Sequence, residues 1–135
     1  LVDAASMDMV RRPDEFDVLV CSNLFGDILT DVGAIVTGSM GLAPSANIDP
    51  GRDNPSMFEP VHGSAFDITG EGVANPLATV LSGSLMFEHL GEDAAATALW
   101  DAVADQLADT DAPRTADLGG ASGTEAVAAD LRERL

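Results

Sequence analysis

The chain has 135 residues, enough for one domain with a sizeable core, and carries 23 Asp and Glu against 6 basic residues, a formal net charge of −17. All six basic residues are Arg; Lys and Tyr are absent. This balance argues against nucleic acid and anionic membrane as partners, and no run approaches the roughly 20 apolar residues of a membrane span.

Asp3 to Arg12 has helical spacing and stops at Pro13, with Arg11 and Arg12 suited to the negative end of a helix dipole. Phe16 to Cys21 is predicted as a buried strand, with Cys21 a small buried hydrophobe at its end. Leu24 to about Val36 has helical spacing. Gly38-Ser39-Met40-Gly41 leads into a short strand over Leu42–Ile48, and Asp49–Pro55 reads as an exposed turn. Met57–Glu59 is a brief strand, followed by a long polar loop from Pro60 to Pro76. Pro76 then opens a helix that runs to Leu90-Gly91, with Leu77, Val80, Leu81, Leu85 and Met86 as its apolar stripe. Asp93 is positioned to cap a helix reaching Ala108, and Ser122 with Glu125 matches a capping box before Ala126–Leu135. Strands alternating with helices place the chain in the α/β class.

Two segments carry chemistry. In Asn23-Leu24-Phe25-Gly26-Asp27-Ile28-Leu29-Thr30-Asp31, the carboxylates of Asp27 and Asp31 fall at i and i+4 on one helix face. Like charges so placed repel unless a cation sits between them, and oxygen donors of this kind suit Mg²⁺ or Mn²⁺. A solvated acidic face accounts for the pair equally well when it is taken alone. The second segment is Glu59-Pro60-Val61-His62-Gly63-Ser64-Ala65-Phe66-Asp67-Ile68, followed by Gly70, Gly72 and Ala74-Asn75-Pro76. Its glycines permit close backbone approach to a ligand, and Ser64 with main-chain N–H groups can bind polar ligand atoms.

Together these segments resemble the isocitrate/isopropylmalate dehydrogenase family, the β-decarboxylating dehydrogenases of (R)-2-hydroxy acids. The similarity runs from Val2-Asp3-Ala4 to Asp117-Leu118-Gly119-Gly120 and Gly123-Thr124-Glu125. Ser39–Asn47 and Pro55–Pro60 are most similar to the D-malate/tartrate branch, with 3-isopropylmalate dehydrogenases next. The resemblance implies the family's two-domain α/β fold, of which this chain is the C-terminal part. Residues 1–37 would end the dimer-forming, metal-binding domain, and residues 38–135 would belong to the nucleotide-holding domain. It further implies Mg²⁺ or Mn²⁺ on Asp27 and Asp31, with Asp3 as a third ligand from a partner subunit in a homodimer. Asp27 and Glu59 fall at catalytic positions, Glu59 near the nicotinamide end of the cofactor. His62, Gly63, Ser64 and Ala65 match the loop that holds adenosine and pyrophosphate, and Asn75 matches an adenine contact. Asp67 with Ile68 implies NAD⁺ over NADP⁺, because a carboxylate accepts from ribose hydroxyls and repels a 2′-phosphate. His89, by contrast, reads as an incidental residue at a helix end.

The expected reaction is NAD⁺-dependent oxidation of an (R)-2-hydroxy diacid followed by loss of its β-carboxylate. The family's lysine, tyrosine and substrate-gripping arginines have no match here, and the chain opens on Leu1-Val2-Asp3 without a methionine, so it reads as a fragment. A catalytically silent nucleotide- or metal-binding module is the alternative; a cation-buffering scaffold would leave the loop motif unexplained. The lone cysteine fits a cytoplasmic setting, and the excess of carboxylates fits a halophilic source.

Overall fold

The computed structural model describes residues 1–135. Helix α1 spans Val2–Arg11, with Asp3 in its first turn and Arg11 in its last. Arg12 follows as its C-cap; the guanidinium bonds back to Asp8 and forward to Glu15, both at 2.9 Å. Pro13 ends α1 because it lacks the N–H that the next turn would need, and a single tight turn, Pro13–Glu15, follows.

The predicted strand over Phe16–Cys21 does not form. The segment has no neighbouring strand, and Val18 and Val20 are 81% and 96% exposed. An apolar run becomes a strand only when a ladder satisfies its N–H and C=O groups, and no strand within these 135 residues lies beside it. Cys21 is accordingly exposed, contrary to the buried position predicted for it. Helix α2, Asn23–Val36, packs on α1 and buries Leu29 and Ala34 while Leu24, Phe25, Ile28 and Ile35 stay exposed.

A tight turn over Met40–Leu42 takes up the start of the next predicted strand, so β1 is Pro44–Asn47. It pairs antiparallel with β2, Met57–Pro60, in the register Pro44↔Pro60, Ser45↔Glu59, Ala46↔Phe58 and Asn47↔Met57. This pair is the only sheet. The connecting turn is organised by Asp49, whose carboxylate accepts from the N–H groups of Gly51 (3.2 Å) and Asn54 (2.8 Å). Such self-capping is the usual reason Asp starts a turn.

Helix α3, Leu77–Leu90, lies against this hairpin and against α4, Asp93–Ala108; α5, Thr124–Arg134, packs on α4 and joins the same core. Leu77, Leu81, Ala102, Val103, Val127 and Leu131 form the core, with Leu42, Val80, Leu107 and Leu118 packed around it. Gly91 ends α3 in the left-handed conformation at φ 83°, which favours glycine. Two predicted caps are replaced. Glu92 caps α4, so Asp93 becomes its first helical residue. The Ser122–Glu125 box gives way to Gly123 as the cap of α5. The chain there presses on another loop: a Cβ on Gly123 would stand 2.8 Å from the Gly72 carbonyl oxygen. Thr124 also donates from its N–H to that carbonyl (2.8 Å) and from its hydroxyl to the Ala74 carbonyl (2.5 Å). Glu125 instead pairs with Arg132 at 2.9 Å. No helix is long and apolar enough to cross a membrane.

Candidate functional site

The loop after β2 leaves the sheet with one more ladder bond, Val61 N–H to the Ala43 carbonyl at 3.0 Å. It then turns through a short helical piece, Phe66–Ile68, entered from Ala65 at φ 43°. A left-handed alanine is strained, and such strain concentrates where loops meet ligands. With the Ser39–Gly41 turn and the turn before α5, the loop lines an open cleft of ≈ 890 Å³. That volume lies in the range of small-molecule and cofactor sites, about 300–1,000 Å³.

Six of the predicted cofactor residues line this cleft: His62, Gly63, Ser64, Ala65, Ile68 and Asn75. The N–H groups of Gly63, Ser64 and Asn75 donate to nothing within the chain and are free for a ligand. The cleft has no Arg in its lining, and its ionisable side chains are those of His62 and Asp117. Phosphate oxygens would therefore meet backbone N–H groups and, when protonated, the imidazole. Two predicted cofactor residues lie outside the lining. Asp67 is exposed on the outer side of the Phe66–Ile68 turn, and Glu59 is exposed on β2.

Asp117 is the ionisable cleft residue that sequence reasoning misses: the Asp117–Gly120 run belongs to the family resemblance, but nothing in it marks a site residue. Its Oδ2 accepts from the Ser39 hydroxyl (2.5 Å) and the Asn75 amide nitrogen (2.9 Å), and its Oδ1 accepts from the Thr115 hydroxyl (2.5 Å). Ser39, Asn75 and Thr115 are buried, whereas Asp117 opens onto the cleft. Partial withdrawal from water pushes its carboxyl up, but the bonds from Asn75, Ser39 and Thr115 together outweigh this and hold it below the usual 3.8. The group is thus a carboxylate throughout the neutral range.

The predicted metal ligands lie elsewhere, on α1 and α2. Asp27 and Asp31 occupy one exposed face of α2, and Asn23 donates to Asp27 at 3.3 Å. No cationic side chain pairs with either aspartate, nor with Asp3. Asp3 is exposed in the first turn of α1, and its carboxylate accepts from the neighbouring Ala4 N–H at 2.8 Å. Within one chain no group of three His, Cys, Asp or Glu side chains converges on a cation position. The donor set of Asp27 and Asp31 has the right chemistry for a hard divalent ion, two unpaired carboxylates one turn apart, but supplies only part of a coordination shell.

The profile of the isocitrate/isopropylmalate dehydrogenases matches residues 1–134. The 3-isopropylmalate dehydrogenase of Thermobifida fusca is 53% identical over 134 residues, covering 99% of this chain and 36% of that protein. A probable tartrate dehydrogenase/decarboxylase of Bacillus subtilis is 48% identical over 134 residues, covering 99% of this chain and 37% of its own length. Among solved structures, the isocitrate dehydrogenase of Methylococcus capsulatus superposes with a TM-score of 0.92 at 45% identity, over 98% of this chain and 39% of its own. The chain therefore spans little more than a third of the length of the relatives it matches.

Proposed function

The chain belongs to the isocitrate/isopropylmalate dehydrogenase family, and on that premise we propose that it is the C-terminal part of an NAD⁺-dependent, Mg²⁺- or Mn²⁺-requiring dehydrogenase. Its reaction is oxidation of an (R)-2-hydroxy diacid with loss of the β-carboxylate as CO₂. The observation that carries this reading is the cleft itself: the His62–Asn75 loop, the Ser39–Gly41 turn and the Ala116–Asp117 turn converge on one cofactor-sized space. His62, Gly63, Ser64 and Ala65 bind the adenosine and pyrophosphate portions, largely through N–H groups that have no partner in the chain. Asp67 stands outside that space, where it accepts from ribose hydroxyls and excludes a 2′-phosphate by charge. Glu59, on the sheet leading into the loop, is assigned to the nicotinamide end.

Asp27 and Asp31 hold the metal ion together with Asp3 of a second subunit, so the assembly is a homodimer sharing its metal sites. When bound, the ion supplies Lewis-acid stabilisation of negative charge on the substrate's oxygen atoms. The protein's part is to fix that charge's position: α2 sets the Asp27 and Asp31 side chains one turn apart, and their repulsion is relieved only by a cation. Proton transfer falls to residues outside this chain, which has no Lys and no Tyr.

Motif detail in Ser39–Asn47 and Pro55–Pro60 favours D-malate or tartrate as substrate. The higher identity to a 3-isopropylmalate dehydrogenase over the same length, 53% against 48%, favours the branched diacid as the second reading. The deciding experiment measures NAD⁺ reduction by the complete protein with Mn²⁺ and each of D-malate, tartrate and 3-isopropylmalate. Turnover of one of them is expected. NAD⁺ binding with no turnover of any would instead leave a catalytically silent nucleotide-binding module.

A further inference from the structure

We propose that Asp117 is a positioning residue of the cleft: its carboxylate fixes the Asn75 amide and the Ser39–Gly41 turn in the arrangement that the adenosine end of a dinucleotide meets. The inference rests on reading the cleft as an NAD⁺ site and deepens it. Asp117 has no assigned place in the proposed reaction, yet its two oxygens tie two segments distant in sequence, at Ser39 and Asn75, to its own turn at Thr115.

The choice of side chain is itself informative. Three donors converge here: two hydroxyls and one amide, all from buried residues. A carboxylate accepts from all three at once, with neither hydroxyl having to turn its hydrogen away. A carboxylate is otherwise ill placed in a cleft meant for a pyrophosphate, because like charges repel across a partly dry space. Its presence is explained by what it holds. The Asn75 amide is fixed at both ends: Nδ2 donates to Asp117 at 2.9 Å, and Oδ1 accepts from the Leu77 N–H at 3.0 Å. One amide hydrogen and one Oδ1 lone pair remain for a ligand, in a fixed orientation. Ser39 is bound on two sides as well, giving its hydrogen to Asp117 and accepting from the Gly41 N–H at 2.9 Å. The fit leaves no spare room. A Cβ on Gly41 would stand 2.6 Å from Asp117 Oδ2 and 2.8 Å from Asn75 Cβ and Nδ2.

The experiment uses the complete protein and measures the Kd for NAD⁺ by titration, and kcat at saturating NAD⁺ and diacid. Asp117→Ala strips the acceptor from Asn75 and Ser39 and is expected to raise the Kd about tenfold or more, the scale of one lost buried hydrogen-bond partner. The kcat at saturation should stay within about threefold, because no reacting atom is touched. Asp117→Asn keeps one oxygen for Ser39 and Asn75, while the Thr115 hydroxyl can reverse to accept from the new amide. It should restore the Kd to within about threefold of wild type. A merely structural residue would lower the melting temperature in both variants and leave the Kd unmoved. Should Asp117→Ala fail to fold, Gly41→Ala decides, since its methyl parts Asp117 from Asn75 without removing a polar group; a Kd raised about tenfold is again expected. An unchanged Kd in whichever of these two variants is measured, or an Asp117→Asn protein as impaired as Asp117→Ala, overturns the inference alone. Wild-type protein that does not bind NAD⁺ overturns the functional reading, and this inference with it.

Discussion

Asp27 and Asp31 face solvent one turn apart on α2 with no cationic side chain beside either. If that pair is half of a metal site, Asp27→Asn in the complete protein should cut Mn²⁺-dependent kcat/KM about a hundredfold or more, because Lewis-acid stabilisation is worth several kcal/mol. NAD⁺ binding should be nearly unchanged, since Asp27 lies outside the cleft lining. Steady-state kinetics titrated with Mn²⁺ check it; an unaltered metal dependence would remove Asp27 from the site. Asp67 invites a different test. Its carboxylate is exposed, so its repulsion of a 2′-phosphate is worth only about 1 kcal/mol in open water at ~4 Å, and more as a bound ligand displaces that water. Asp67→Asn combined with Ile68→Tyr should shift the NADP⁺/NAD⁺ ratio of kcat/KM toward NADP⁺ by about tenfold. Wild-type protein that already prefers NADP⁺ would refute the role given to Asp67.

Among the elements, α3, α4 and α5 share one core, and it is small. Leu81 is buried among Leu77, Ala102 and Val103 of that cluster. Leu81→Ala should cost about 2–5 kcal/mol, the usual loss for a buried leucine, read by urea denaturation of the complete protein. The end of α5 is pinned by charge instead. Arg134 donates to Asp130 at 2.7 Å and to Asp109 at 2.8 Å, and Gln106 donates to Asp130 at 2.7 Å. Arg134 is the largest influence on both carboxyls and holds each below its ordinary 3.8; Gln106 adds to the effect at Asp130 and the Asp111 N–H at Asp109. Groups depressed in the folded state stabilise it fully above their unfolded value and lose that contribution as pH falls through the folded one. The melting temperature should therefore drop as pH is lowered below about 4. Arg134→Ala should flatten that drop, and an equally steep acid limb in the variant would assign it to other carboxylates.

For the molecule as a whole, the largest electrostatic influence is a net charge of −17 on 135 residues. Repulsion of this size falls as salt rises, the screening length shrinking to about 3 Å near 1 M. Thermal melts in KCl should show a midpoint that climbs from low to molar salt, beyond what the same ionic strength does for a neutral-balanced protein. An apolar surface adds to the difficulty. Val18, Val20, Leu24, Ile28 and Ile35 are exposed on α2 and the segment before it, and nothing in these residues covers them. Residues 1–135 expressed alone should give no NAD⁺ reduction with D-malate, tartrate or 3-isopropylmalate at any salt, having no Lys or Tyr to move a proton. Turnover with any of the three would place the acid–base groups inside this chain.

Whatever depends on neighbours along the chain is legible in the residues themselves. Helical spacing marks the first three helices and capping residues the neighbourhood of the last two, Pro13 and Gly91 end two of them, and the clustered Asp, Gly, Asn and Pro of residues 49–55 mark the turn. The Glu59–Pro76 motif marks the loop and six of the residues that line the cleft. Features that need a distant partner are settled only on folding. Phe16–Cys21 has strand-like residues, yet a strand is a property of a pair and the pair is missing here. Ser122 and Glu125 have capping chemistry, but contact of Gly123 and Thr124 with residues 72–74 takes that end of α5 over. Asp117 shows the limit most plainly. Its partners Ser39 and Asn75 lie 78 and 42 residues away in sequence, so no local pattern could show that one carboxylate gathers them. Hydrogen bonds act over about 3 Å of space and carry no memory of chain separation, so only folding brings such a group into being.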